Sequence, residues 1–269
     1  MSSDAEDVSD WWRTSIIDME PGRIAFRGRP VEALIGNFSF PQMIWFMVTG
    51  EDLDGERATL LEAALVAAVD HGPQAPSIAI ARMAVTCGVD LNNAMASALN
   101  VLGDVHGGAG EQAVELYDLI AAAIAKGVAE DRAVSDRLEL WRQERGKFIP
   151  GFGHRFHKPV DPRAPRLLGL VDDAAAAGAV SGRFARIGRA IEAELRAEKG
   201  LPVPMNIDGA TAVIFAELGC PPPLARGLFC LSRSVGILAH AWEQMQQGGR
   251  NKGPTPPRFR WTYDPGETK

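Results

Sequence analysis

Pro150-Gly151-Phe152-Gly153-His154-Arg155-Phe156-His157-Lys158-Pro159-Val160-Asp161-Pro162-Arg163-Ala164 holds the chain's densest set of chemically able groups. Histidines, arginines, a lysine and an aspartate are set among glycines and prolines. Glycine lets backbone approach a ligand, proline stiffens the path, and the cations favour an anionic partner. A solvated basic turn is the plainer reading. Two further breaks carry similar groups. In Leu102-Gly103-Asp104-Val105-His106-Gly107-Gly108-Ala109-Gly110 the histidine stands just before a helix start, where the helix dipole opposes a charged imidazolium. A neutral imidazole there can donate one hydrogen bond to a developing enolate. It could also simply cap the helix, although a cap does not need the glycines that follow. In Met205-Asn206-Ile207-Asp208-Gly209-Ala210 the aspartate enters an apolar helix. Desolvation would raise its pKa towards base duty; an N-cap aspartate fits the position equally well. Arg233 lies in the apolar run Phe229–His240 and needs a carboxylate, from the protein or from a ligand. His240 and Glu243, on nearby faces of that helix, read as structural.

The elements that must position these groups are helices. Ser15–Met19 and Arg23–Arg27 flank a Glu20-Pro21-Gly22 turn and predict a short N-terminal β-hairpin, nearly the only strand signal in the chain. Arg27-Gly28-Arg29 could touch an anion but reads as surface charge. Helices are expected at Pro30–Ile35 and after a Ser39 cap, with Pro41 in the first turn and Gly50 as the stop. Others follow at Gly55–Val69, Pro76–Gly88, Asn92–Leu102, Glu111–Lys126, Glu130–Gly146, Pro165–Ala177, Val180–Lys199, Thr211–Leu218 and Leu224–Gln246. The acidic residues 1–10 read as disordered, and the Pro- and Arg-rich tail from Gly248 as an arm that packs on something, such as a second subunit.

The chain has 269 residues, 46% hydrophobic and 23% charged, and a net charge of −6. That is enough for a sizeable core, with no global nucleic-acid signature. Cys87, Cys220 and Cys230 make neither a disulfide framework nor a metal-spaced set, and read as small core residues in a reducing, cytoplasmic setting. The polar opening is unlike a signal peptide, and no apolar run is long enough to span a membrane. The expectation is a soluble protein with no metal site and no permanently bound cofactor.

Taken in order, these segments resemble the citrate synthase family from Ser15 to about Gln246. GFGHRFHKPVDPRA is similar to the family's Gly-x-Gly-His-x-x-x-x-x-x-Asp-Pro-Arg segment. VHGGAG, MNIDG, LSRSVGILAH and SIIDMEPGRIAFRGRPVEALIGNFSF support it. The resemblance implies an all-α fold: a large helical domain (1–106 and 208–269, with the C-terminal arm) and an inserted small helical domain (107–207). It implies a homodimer, a coenzyme A thioester as substrate, and catalysis by His106, His154 and Asp208. His106 would polarise the thioester carbonyl, Asp208 would exchange the proton on its methyl carbon, and His154 would hold the oxaloacetate carbonyl. Arg163 and Arg233, helped by His71, would grip the carboxylates. Phe152 and Gly153, with Arg155, would lie along coenzyme A.

Some features resemble the citryl-CoA lyase branch more closely: Asp70-His71-Gly72-Pro73, Leu102-Gly103-Asp104 and Asn206-Ile207-Asp208-Gly209. The chain is also shorter than full-length synthases, has Gly110 where they carry asparagine, and has Met205-Asn206 where they have Pro-Asn. The partner-supplied arginine of the family has only Arg258 and Arg260 as candidates. The expected activity is cleavage of citryl-CoA to acetyl-CoA and oxaloacetate. The alternatives are a synthase-type condensation and a non-catalytic acyl-CoA-binding subunit.

Overall fold

A computed structural model describes residues 11–266, so the disorder expected for residues 1–10 lies outside the described residues. The chain forms two compact units, Met1–Glu62 and Ala63–Lys269.

In the first unit, β1 (Ile17–Glu20) and β2 (Arg23–Phe26) form the expected hairpin, with Ile17 opposite Phe26 and Glu20 opposite Arg23. Gly22, at φ +80°, makes the turn. A two-residue β3 (Arg29–Pro30) adds a third antiparallel strand, which the sequence reading lacked. Two helices follow, α1 (Val31–Leu34) and α2 (Phe40–Thr49). Ser39 and Gln42 form a reciprocal capping box at the start of α2, and Gly50 ends it in the left-handed region. The Arg27 guanidinium donates to the carbonyls of Met47 and Val48, covering orphan acceptors at the helix end, and Arg29 pairs with Asp52. Both arginines are thus engaged within the protein. α3 (Gly55–Ala67) runs across the boundary between the units.

The second unit continues with α4 (Pro76–Thr86), α5 (Leu91–Leu99), α6 (Ala109–Ala125), α7 (Glu130–Arg145), α8 (Arg163–Ala176), α9 (Arg183–Lys199), α10 (Ile207–Glu217) and α11 (Pro222–Gln247). α10 is buried nearly all round, from Ile207 through Ala216, in keeping with a sequence apolar on every face apart from Asp208 and Thr211. It lies against α6, α8 and α9. α4 and α5 pair and meet α11 through small residues: Ala81, Ala94, Ala98 and Ala241 join Ile78 and Ile237 in one core. Their small side chains let the helix axes come close. The Glu217 carboxylate, at the end of α10, accepts from the backbone of Ser181, Gly182 and Phe184 and from the Ser181 hydroxyl, closing the exposed donors at the start of α9.

Several expectations need correction. α10 begins at Ile207, not Thr211, so Asp208 stands inside the first turn, and Asn206 is the cap. α5 ends at Leu99, three residues short of the break at Leu102. Cys87 is exposed at the end of α4, whereas Cys220 is buried. No helix among the described residues is long and apolar enough to cross a membrane.

Candidate active site

Pro76 opens α4 and leaves the backbone N–H of Ser77 unused by the helix. That N–H donates to His106 Nε2 at 3.2 Å, and Ser77 Oγ lies 3.0 Å from the same nitrogen. A backbone amide can only donate, so Nε2 is the acceptor and the imidazole proton sits on Nδ1. Burial, then the nearby Arg233 charge, hold His106 below the ordinary histidine range. Its loop turns tightly: Gly107 has φ +98°, and a Cβ on Gly108 would stand 2.7 Å from Asp104 backbone. Arg226 braces this loop by pairing with Asp104 and Glu111.

His154 is set the opposite way. Its Nδ1 accepts from the backbone N–H groups of Phe156 and His157, both at 3.0 Å, so the proton sits on Nε2. The His71 ring lies edge-on at 5.2 Å and the His157 ring at 4.4 Å. Burial first, then His157, lower the His154 pKa; Asp161 acts against them.

The segment carrying His154 is fastened to the start of α10. Gly153 N–H donates to Pro204 O, Asn206 N–H to Gly151 O, and Asn206 Nδ2 to Gly153 O. Here glycine is required: a Cβ on Gly209 would stand 2.3 Å from Gly151 O. Asn206 Oδ1 receives the N–H groups of Asp208 and Gly209, which relieves the Asp208 carboxyl of capping. Burial raises the Asp208 pKa, and the charges of Arg233 and Arg163 oppose that rise.

Arg233 is only 4% exposed. Its Nε donates to Ala68 O, and its guanidinium stands over the Phe229 ring at 4.9 Å. No carboxylate among the described residues makes a salt bridge with it, although Asp208 and Asp70 attract it. A buried cation without an acid partner is poised for an anion.

His71, His106, His154, Asp208 and Arg233 all line one cavity of about 450 Å³. Five of the six groups expected to act on the substrate therefore converge. Arg163 does not line it. Its Nε and Nη2 grip both oxygens of the fully buried Asp161, at 3.0 and 2.8 Å. A second cavity, about 390 Å³, shares His154 and Arg155 with the first and is lined by Phe152, Gly153, Lys147, Lys158 and Lys199. The three residues expected along coenzyme A thus meet there. Arg258 and Arg260 lie in the exposed tail and line neither cavity.

His154, His157 and Asp161 bring three ligating atoms within 4.8 Å of one another, a grouping the sequence reading did not make. Arg163 occupies the Asp161 carboxylate and two N–H groups occupy His154 Nδ1, which leaves His154 Nε2 as that ring's open nitrogen. Ser77 also escaped the sequence reading, and Asn206 was read there as part of a motif and not as the cap of α10. Pro76 just before Ser77, marking a helix start after the His71-Gly72-Pro73 turn, was the signal available for the first.

Comparison with known proteins follows the same lines. Residues 47–255 match the family model for the citrate synthase C-terminal domain. The chain is 29% identical over 207 residues to a citrate synthase of Acidithiobacillus ferridurans (74% of this chain, 50% of that one). It is 30% identical over 218 residues to a citrate synthase of Haloferax volcanii (81% and 53%). It spans about half the length of these relatives. The solved citryl-CoA lyase from Hydrogenobacter thermophilus superposes with a TM-score of 0.80 at 29% identity, covering 96% of this chain and 97% of that one. The ATP citrate lyase from Methanothrix soehngenii, solved with citrate and coenzyme A, has a TM-score of 0.78 at 22% identity, covering 99% of this chain and 45% of that one; it shares the fold.

Proposed function

Because the chain belongs to the citrate synthase family, we propose that it is an enzyme that cleaves citryl-CoA to acetyl-CoA and oxaloacetate. The observation that carries this reading is the convergence of His106, Asp208 and the acid-free Arg233 on one cavity. The near end-to-end match to a citryl-CoA lyase supports the lyase direction.

In cleavage, the carbon–carbon bond beside the tertiary hydroxyl breaks. The tertiary hydroxyl gives up its proton to solvent water, its O–H electron pair becomes the keto double bond of oxaloacetate, and the pair from the broken carbon–carbon bond passes to the thioester as an enolate. His106 Nδ1–H, held outward by the Ser77 contact, donates to the developing enolate oxygen. Its neutrality suits it to share a proton rather than surrender one. Asp208, whose carboxyl is made easier to protonate by burial, returns a proton to the methylene carbon and so forms the methyl group. His154 Nε2–H hydrogen-bonds the oxygen on the cleaved carbon. Arg233 and His71 hold the carboxylates of the oxaloacetate part.

The second cavity suits coenzyme A: Lys147, Arg155, Lys158 and Lys199 offer charge to phosphates, and Phe148 and Phe152 offer apolar surface to the adenine. Arg163 orders the His154 segment through Asp161. We further propose that the segment after His106 closes over the substrate and excludes water, and that the enzyme is a homodimer.

The citrate synthase relatives favour a second reading, condensation followed by thioester hydrolysis. The two are separated by following oxaloacetate from citryl-CoA and free thiol from acetyl-CoA plus oxaloacetate. Rapid oxaloacetate formation with slow thiol release supports the lyase; brisk thiol release overturns it. Failure of both assays, with coenzyme A still bound, would leave an acyl-CoA-binding protein.

A further inference from the structure

Residues Leu65 to Asp70 lie along one face of α11, with contacts that climb the helix from Ser232 to His240. Ser232 Oγ donates to Leu65 O, and Arg233 Nε to Ala68 O. Gly236 meets Val69 O so closely that a Cβ would stand 2.1 Å from it. One turn further on, His240 Nε2 stands 3.3 Å from Asp70 Oδ1, a buried oxygen with no aligned hydrogen-bond donor, so the two meet as a close electrostatic contact. The other Asp70 oxygen accepts from Gly72 N–H at 3.0 Å. The Asp70 carboxylate thus spans the turn on which His71 sits.

The opposite edge of His240 defines the chemistry of this contact. Arg82, from α4, places Nη1 at 3.0 Å from His240 Nδ1 and 2.6 Å from Glu243 Oε2, and its Nη2 reaches Gln247. Arginine has only donors, so His240 Nδ1 accepts and the ring proton sits on Nε2, facing Asp70. The chain of contacts runs from Glu243 through Arg82, His240 and Asp70 to the turn that carries His71 into the cavity.

We propose that His240, oriented by Arg82, is a positioning residue: through Asp70 it fixes the turn that presents His71 to the carboxylates of the oxaloacetate part. None of these three residues lines the cavity. The effect on ligand binding rests on the function proposed above; the hold on the turn does not.

The test pairs two substitutions that conserve different edges of the ring. His240→Gln can keep a donor towards Asp70, whereas His240→Asn reaches only the Arg82 side. Amide hydrogen exchange of residues 69–72 in the ligand-free protein reads the hold directly. His240→Asn should speed exchange there at least about fivefold, and His240→Gln should stay within about twofold of the parent. Titration calorimetry reads the consequence. His240→Asn should weaken oxaloacetate about tenfold and coenzyme A less than about twofold, and His240→Gln should restore most of the loss. Arg82→Gln should give the same pattern with a folded protein if His240→Asn fails to fold. Unchanged exchange at 69–72 in His240→Asn, or equal weakening of both ligands, overturns the proposal. If the parent protein binds no oxaloacetate, the function proposed above falls, and the exchange arm still decides whether His240 holds the turn.

Discussion

The two catalytic imidazoles proposed here differ in which nitrogen carries the proton, and that difference is set by backbone. Ser77 N–H fixes Nδ1–H on His106, and the Phe156 and His157 N–H groups fix Nε2–H on His154. Asp208 is the group asked to move a proton to or from carbon. Asp208→Asn should therefore lower kcat about 10²–10⁴-fold while leaving oxaloacetate affinity near the parent value, as seen in steady-state turnover beside calorimetry. A kcat within a few-fold of the parent would exclude it from the chemistry. Arg233→Gln should instead weaken oxaloacetate far more than coenzyme A; equal losses would contradict its proposed role.

At the scale of the element, the contacts that matter join helix ends to loops. Glu217→Ala strips four hydrogen bonds from the start of α9 and should cost about 1–2 kcal/mol in urea unfolding, with Glu217→Gln recovering part. Gly209→Ala forces a methyl group onto Gly151 O and should destabilise by about 1–3 kcal/mol, with a loss of turnover larger than any loss of coenzyme A binding. Melting midpoints and the two ligand titrations check this pair. Helix placement was largely legible in the chain because its signals are local: Ser39, Pro41 and Gly50 bound α2 within a few residues. The site was legible where glycine or proline interrupts a helix next to a histidine or acid, which singled out His106, His154 and Asp208. Ser77 and His106 meet across 29 positions, and Arg163 turns to Asp161 rather than to the cavity. Neither a fold-dependent contact nor a side-chain rotation leaves a local pattern to read.

For the whole molecule, pH dependence follows from three histidines that line one cavity with Arg233. His71, His106 and His154 all have lowered pKa values, burial being the first cause in each. Below the ordinary histidine value of about 6.5 the unfolded chain binds more protons than the folded one, so these groups withdraw stability as pH falls. Asp208 has the opposite sign: its raised pKa favours the folded state at low pH, and that contribution fades as pH climbs from about 4 through the folded value. Asp118 is raised by burial as well; with three histidines against these two acids, thermal midpoints should be level above about pH 7 and decline from about 6.5 downward. A midpoint that rises on acidification through that range would contradict the assignment. His106→Asn should make the decline shallower.

The Gly151–Gly209 contact has a mechanical corollary. Two strips of main chain in such register cannot slide past each other without colliding, so the His154 segment and the head of α10 travel as a single lever. A pivot between residues 207 and 208 would shear that joint. The backbones that carry Asp208 and His154 therefore keep one fixed spacing, which sets how far apart their targets on a ligand can lie.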